Sequence, residues 1–241
     1  MTRRGVIGLL SSAASLVLLA ACGPGGIVEK NLVFFYTPHH ARLTAVVDTP
    51  QGEKTGSSVI EVKWSVASYE VTGEAVAVDI APGQTLFVLL RSASDVDWIA
   101  YVSRNMDIPK RNEGEPLEHE FDWIAADRRV WPIKRRWKTV SEDYDNYPYF
   151  VRFRNMADPT SVEQVDPDNL AASFGKGVKL KSLTVQMTDE PVTVGIEKRF
   201  SWWRKYINRH FNETSTVSED LQNKSLAAHL SAGSFSTEYM K

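Results

Sequence analysis

Cys22 is the only cysteine among 241 residues, so it has no disulfide partner within the chain, and its thiol is left for some other chemistry. The histidines offer less. His119-Glu120 begins the His-Glu-x-x-His string that sets two zinc ligands on one helical face, but position 123 is Trp and the second ligand is missing. The adjacent pair His39-His40 alternates across a strand, which sends the two rings to opposite faces and keeps them off a shared metal. Both sets read as structural or surface histidines. Ala171-Ala172-Ser173-Phe174-Gly175 imitates a nucleophile elbow, yet it follows Asp166-Pro167-Asp168-Asn169 rather than a hydrophobic strand, and a helix ending at Gly175 accounts for it. Gly56-Ser57-Ser58 stands at a strand start with no base placed by sequence. Glu113, Glu115, Glu118, Glu120 and Asp122 lack the Asp-x-Asp-x-Asp-Gly spacing of a calcium loop and read as a solvated segment. No catalytic, cofactor or metal site is assigned from these residues.

Two basic-aromatic stretches bear on membranes. Arg128-Arg129-Val130-Trp131 leads into Lys134-Arg135-Arg136-Trp137-Lys138, and Phe200 to Phe211 would form a basic helix with its aromatics on one side. Trp202, Trp203, Arg204 and Lys205 suit a bilayer interface, where indole rings sit at headgroup level and cations meet anionic lipid. The competing reading packs the rings on the core and leaves the charges in water.

The elements that must position these residues begin at the N-terminus. Arg3 and Arg4 precede an uncharged run rich in Leu, Val and Ala from Gly5 to Ala21, the pattern of an export signal over residues 1–21. It ends in Leu19-Ala20-Ala21-Cys22, which is similar to a lipobox. Small residues fit a signal peptidase cleft, and the thiol accepts a thioether-linked diacylglycerol. The expectation is lipidation at Cys22 with palmitate-type acyl chains, stable because two or more chains anchor where one does not. Residues 22–29, with Gly23-Pro24-Gly25-Gly26, would be the tether. Gly23 rather than Asp after the cysteine points to the outer membrane, facing the periplasm. Losing Arg3 and Arg4 takes the formal charge from −2 to −4, which argues against nucleic acid as a partner.

The body, residues 30–211, reads as a single β-rich domain. Arg42–Thr49 and Ser57–Val66 form a hairpin around Pro50-Gln51-Gly52-Glu53. Glu74–Ile80 and Thr85–Leu90 form another around Ala81-Pro82-Gly83-Gln84. Ser94 with Asp97 resembles a capping box for a helix through Asn105. Residues 106–148 are irregular, and Tyr149–Arg154 is a strand. Asp166 would cap a short helix ending at Gly175, and Val178–Met187 is a further strand. Residues 212–241 are polar, weakly patterned and expected to be a disordered tail. The fold class is α+β: an antiparallel sheet of hairpins with one or two short helices.

Several strings together resemble an uncharacterised family of proteobacterial lipoproteins. They are Arg42-Leu43-Thr44, Thr49-Pro50-x-Gly52, Thr55 to Val62, Gly73 to Asp79, Thr85-Leu86-Phe87, Asp166-Pro167 through Gly175, and Thr188 to Arg199. They cover roughly residues 36–200, and the segment 204–241 departs from the pattern. The resemblance implies a lipid anchor and brings no activity with it. The function expected is that of a membrane-anchored envelope lipoprotein acting as a non-enzymatic interaction or structural module with an envelope protein partner. The alternative is a periplasmic enzyme or solute-binding protein, using Asp79, Glu61 or the 113–122 carboxylates.

Overall fold

Strand β1 (His39–Thr49) turns at Pro50-Gln51 into β2 (Gly52–Trp64), in the hairpin expected from the sequence. Gly52 supplies the positive φ that the turn demands. Along β1 the period of two is strict: Ala41, Leu43, Ala45 and Val47 are buried, and their neighbours are half-exposed. A computed structural model of the chain describes residues 35–92, 97–103, 116–138, 143–212 and 226–238. The signal segment, Cys22 and the tether lie outside these residues, as do Glu113 and Glu115.

After β2 comes a short strand that the sequence did not reveal, β3 (Tyr69–Thr72). The second expected hairpin follows, β4 (Val76–Ala81) and β5 (Gln84–Ser92), turning at Pro82-Gly83 with Gly83 at φ +73°. Helix α1 spans only Trp98–Tyr101, with Asp97 at its N-cap, and Ser94 lies outside the described residues. The stretch expected to be irregular holds four elements. They are helix α2 (Leu117–Ala126) and strands β6 (Val130–Pro132), β7 (Arg136–Lys138) and β8 (Asp143–Asp145). Strand β9 (Pro148–Phe153), the short β10 (Val162–Gln164), helix α3 (Leu170–Phe174) and β11 (Lys179–Thr188) complete the regular elements. Gly175 ends α3 at φ +100° as expected, but the N-cap is Asn169. Asp166 instead accepts the Asp168 N–H in a local turn.

The strands form an antiparallel five-stranded sheet, β3-β2-β1-β11-β6, and an antiparallel four-stranded sheet, β10-β9-β5-β4, with β7-β8 as a separate ribbon. The larger core lies between the two sheets, from Leu43, Ile60 and Leu183 on one to Val78, Val88 and Phe150 on the other. Gly56 is where β2 passes closest to β4: a Cβ there would overlap the Ala77 carbonyl and lie 2.8 Å from its carbon. The fold is α+β and β-rich.

A second core covers the outer face of the smaller sheet. Phe87 and Leu89 of β5, with Val151 and Phe153 of β9, meet Phe200, Trp202, Trp203, Phe211, Leu230 and Phe235. β5 is thus buried on both faces, which explains its unbroken apolar run Leu86–Leu90. The expectation of a disordered tail is corrected for residues 226–238. Leu230, Ala232 and Phe235 are fully buried, and Glu74 pairs with Ser236 in an isolated antiparallel bridge. Apolar residues this sparse leave no periodic signal, but enough of them fall on one surface to seal it.

Candidate binding cleft

The apolar row that β5 turns toward the second core runs Phe87, Leu89, and then changes chemistry at Arg91. There the second core gives way to a cleft of about 560 Å³. Tyr69 and Val71 of the edge strand β3, Leu90 and Ile99 form its apolar wall. Arg209, His210 and Ser231 approach from the C-terminal segment. That segment is held in place by its own backbone: the Thr237 N–H donates to the Gly73 carbonyl at 3.0 Å, and the Gly73 N–H donates to Thr237 Oγ1 at 2.9 Å. Ser231 and Ser234 form a reciprocal capping box over the short turn Ala232–Ser234.

Arg91 is half-buried, and its Nε is sealed from solvent with no hydrogen-bond partner among the described residues. Buried guanidinium donors are ordinarily satisfied, so this one marks an electrostatic need. Asp97 is the one carboxylate among the described lining residues, against the guanidinium groups of Arg91 and Arg209. The cleft has a volume typical of small-ligand sites and combines an apolar wall with a few cationic and hydroxyl groups.

The residues singled out from sequence lie elsewhere. Trp202 and Trp203 are 7% and 4% exposed and pack in the second core, and the Trp202 indole N–H donates to the Met156 carbonyl at 2.9 Å. Of the two readings, these rings follow the one that packs them on the core: Trp202 lies 4.6 Å from Phe200 and 4.9 Å from Phe211 between ring centroids, and Trp203 stacks on Phe200 at 5.7 Å. Arg204 and Lys205 remain exposed, and only a 3₁₀ turn, Trp203–Tyr206, replaces the expected helix. His39 is buried and His40 half-exposed, on opposite faces of β1. His39 Nε2 lies 2.8 Å from Ser103 Oγ. Burial, helped by the neighbouring His40, lowers the His39 pKa to about 4.

Asp79 and Glu61 are engaged in ion pairs. Asp79 accepts both terminal nitrogens of Arg199, at 2.9 and 3.1 Å, and the Arg199 guanidinium holds its carboxyl below the ordinary range. Glu61 pairs with Lys63 at 2.8 Å and with His40 at 3.5 Å. His119 and Glu118 are exposed on α2, and Ser173 sits inside α3 rather than on a strand-to-helix turn. Among the described residues no group of three or more His, Cys, Asp or Glu gathers, and no helix is long and apolar enough to cross a membrane.

Sequence reading missed Arg91, Arg209 and His210. The only signal for Arg91 was the switch from apolar to charged at the end of the run Leu86–Leu90. Compared with known protein families, curated proteins and solved structures, the chain matches none.

Proposed function

We propose that this chain is an envelope lipoprotein, anchored through acyl chains on Cys22, whose folded body is a non-enzymatic binding module presented to the periplasm. The observation that carries the proposal is the string Leu19-Ala20-Ala21-Cys22 behind an apolar export segment, in a chain with no other thiol. The glycine at position 23 favours the outer membrane. Exposed Arg204 and Lys205 supply the charge for a weak contact with anionic headgroups. Acyl labelling in cells tests it: the wild type takes up label and matures, whereas Cys22→Ser takes up none and stays unprocessed. A Cys22→Ser protein that still matures to a membrane-anchored form would overturn the proposal.

The alternative, a solute-binding protein, draws support from the cleft. Its wall joins apolar side chains to Arg91, Arg209 and His210 on a rigid two-sheet frame. Binding through this cleft is compatible with the anchor and sharpens what the module would bind.

A further inference from the structure

We infer that the cleft beside β5 binds an amphipathic anion, a phosphate or carboxylate headgroup carrying a short apolar body, with Arg91 as the principal recognition residue. The inference rests on the reading of the cleft as a binding site and not on the lipid anchor.

Arg91 continues the row Phe87, Leu89 that β5 turns toward the second core, and its Nε is sealed without an acceptor among the described residues. A guanidinium cannot shed its proton to relieve that loss, as a lysine would. Asp97 is the one carboxylate among the described lining residues, so the guanidinium groups of Arg91 and Arg209 outnumber it and favour an incoming anion. Nε itself is closed to a ligand, so an anion in the cleft meets the part of the Arg91 guanidinium that lines it, through charge-assisted hydrogen bonds that strengthen as water is excluded.

The remaining lining residues select the rest of the ligand. Arg209 and His210 add nitrogen donors at the exposed rim, and Ser231 adds a hydroxyl, a set suited to an oxyanion with several acceptor oxygens. The side chains of Val71, Leu90 and Ile99 in the same lining are hydrocarbon. Inorganic phosphate alone would leave that wall wetted, and an uncharged apolar molecule would leave the cationic side chains of the cleft unused. A molecule with both parts satisfies both sides. The volume, about 560 Å³, accommodates a headgroup with a chain of several carbons.

The test is calorimetric titration of the full-length chain in phosphatidylcholine vesicles with hexyl phosphate, hexanol and inorganic phosphate. Hexyl phosphate is expected to bind at least about tenfold more tightly than either other probe, and Arg91→Met to weaken it about tenfold or more. Arg91→Lys, which keeps the charge but not the fork, is expected to recover part of the loss. Circular dichroism of each variant confirms that the fold persists, and weakening by added salt in the wild type gives the electrostatic readout without any substitution. Equal binding of hexyl phosphate and hexanol would overturn the anionic class while leaving the cleft as a binding site. No binding by any probe would overturn the cleft reading itself, and unchanged affinity in Arg91→Met would overturn the role of Arg91. Replacing part of the phosphatidylcholine with phosphatidylglycerol separates the sources. Competition with hexyl phosphate identifies a lipid headgroup as the ligand, and its absence identifies a soluble amphiphile.

Discussion

Glu74 Oε2 accepts the backbone N–H of Ile196 at 2.8 Å, across 122 residues of sequence. Three other pairs close the same seam. Arg42 Nε donates to Glu190 at 3.1 Å, the Val59 N–H donates to Thr193 Oγ1 at 2.8 Å, and Arg199 clasps Asp79. The strings that carry the sequence resemblance therefore meet one another in pairs, fastening residues 190–199 across both sheets. Burial raises the Glu74 pKa above the ordinary carboxylate value of 4.5, against the pull of the Ile196 N–H. The folded state thus holds the Glu74 proton more tightly than the unfolded chain. Its contribution to stability is present at acid pH and is lost as pH rises through the raised pKa. Glu74→Gln keeps an acceptor and removes the titration. Its urea midpoint at neutral pH is expected to equal or exceed that of the wild type, and a large drop would contradict the assignment.

His39 acts in the opposite sense. It is buried against Ser103 with a pKa of about 4, compared with 6.5 when unfolded. Between those values the unfolded chain binds the extra proton, so stability is full above pH 6.5 and declines as pH falls toward 4. The full effect is on the order of 3 kcal/mol for a shift of this size. His39→Gln places an amide near Ser103 without a titrating group. Its stability curve, from urea unfolding across this range, is expected to be flatter than that of the wild type.

Gly56 tests the sheet-on-sheet contact. Gly56→Ala drives a methyl group into the Ala77 carbonyl and is expected to cost on the order of 3 kcal/mol. Gly83→Ala meets open space and strains only a backbone at φ +73°, at about 1 kcal/mol. Chemical denaturation of the two variants should preserve that order.

Phe235 tests the C-terminal cap. It is fully buried among Phe87, Phe153 and Phe200. Phe235→Ala is expected to cost about 3–5 kcal/mol. Arg204→Ala, at an exposed site, should stay within about 0.5 kcal/mol. A Phe235→Ala effect as small as that of Arg204→Ala would mean that the cap does not hold the smaller sheet in solution.

Hairpins were the legible part of this fold, because turns such as Pro82-Gly83 and the alternation along β1 are local signals. The C-terminal cap was not legible. Its apolar residues, Phe211, Leu230 and Phe235, are scattered through polar sequence and acquire meaning only against Phe87 and Leu89. The unbroken run Leu86–Leu90 held the clue, since a strand buried on both faces requires a second covering layer. Trp202 and Trp203 look amphipathic in sequence only when their basic neighbours are placed on a helix. The 3₁₀ turn instead directs the rings inward and leaves Arg204 and Lys205 in water. The cleft was invisible for a related reason: Arg91 and Arg209 are 118 positions apart and meet only after the cap folds back.

Mass spectrometry of the N-terminal peptide from the membrane-purified protein tests the central claim most directly. The account predicts a chain that begins at Cys22 and carries thioether-linked diacylglycerol, with no peptide from residues 1–21. An unmodified Cys22 inside a longer N-terminal peptide, or a mature chain beginning elsewhere, would contradict it.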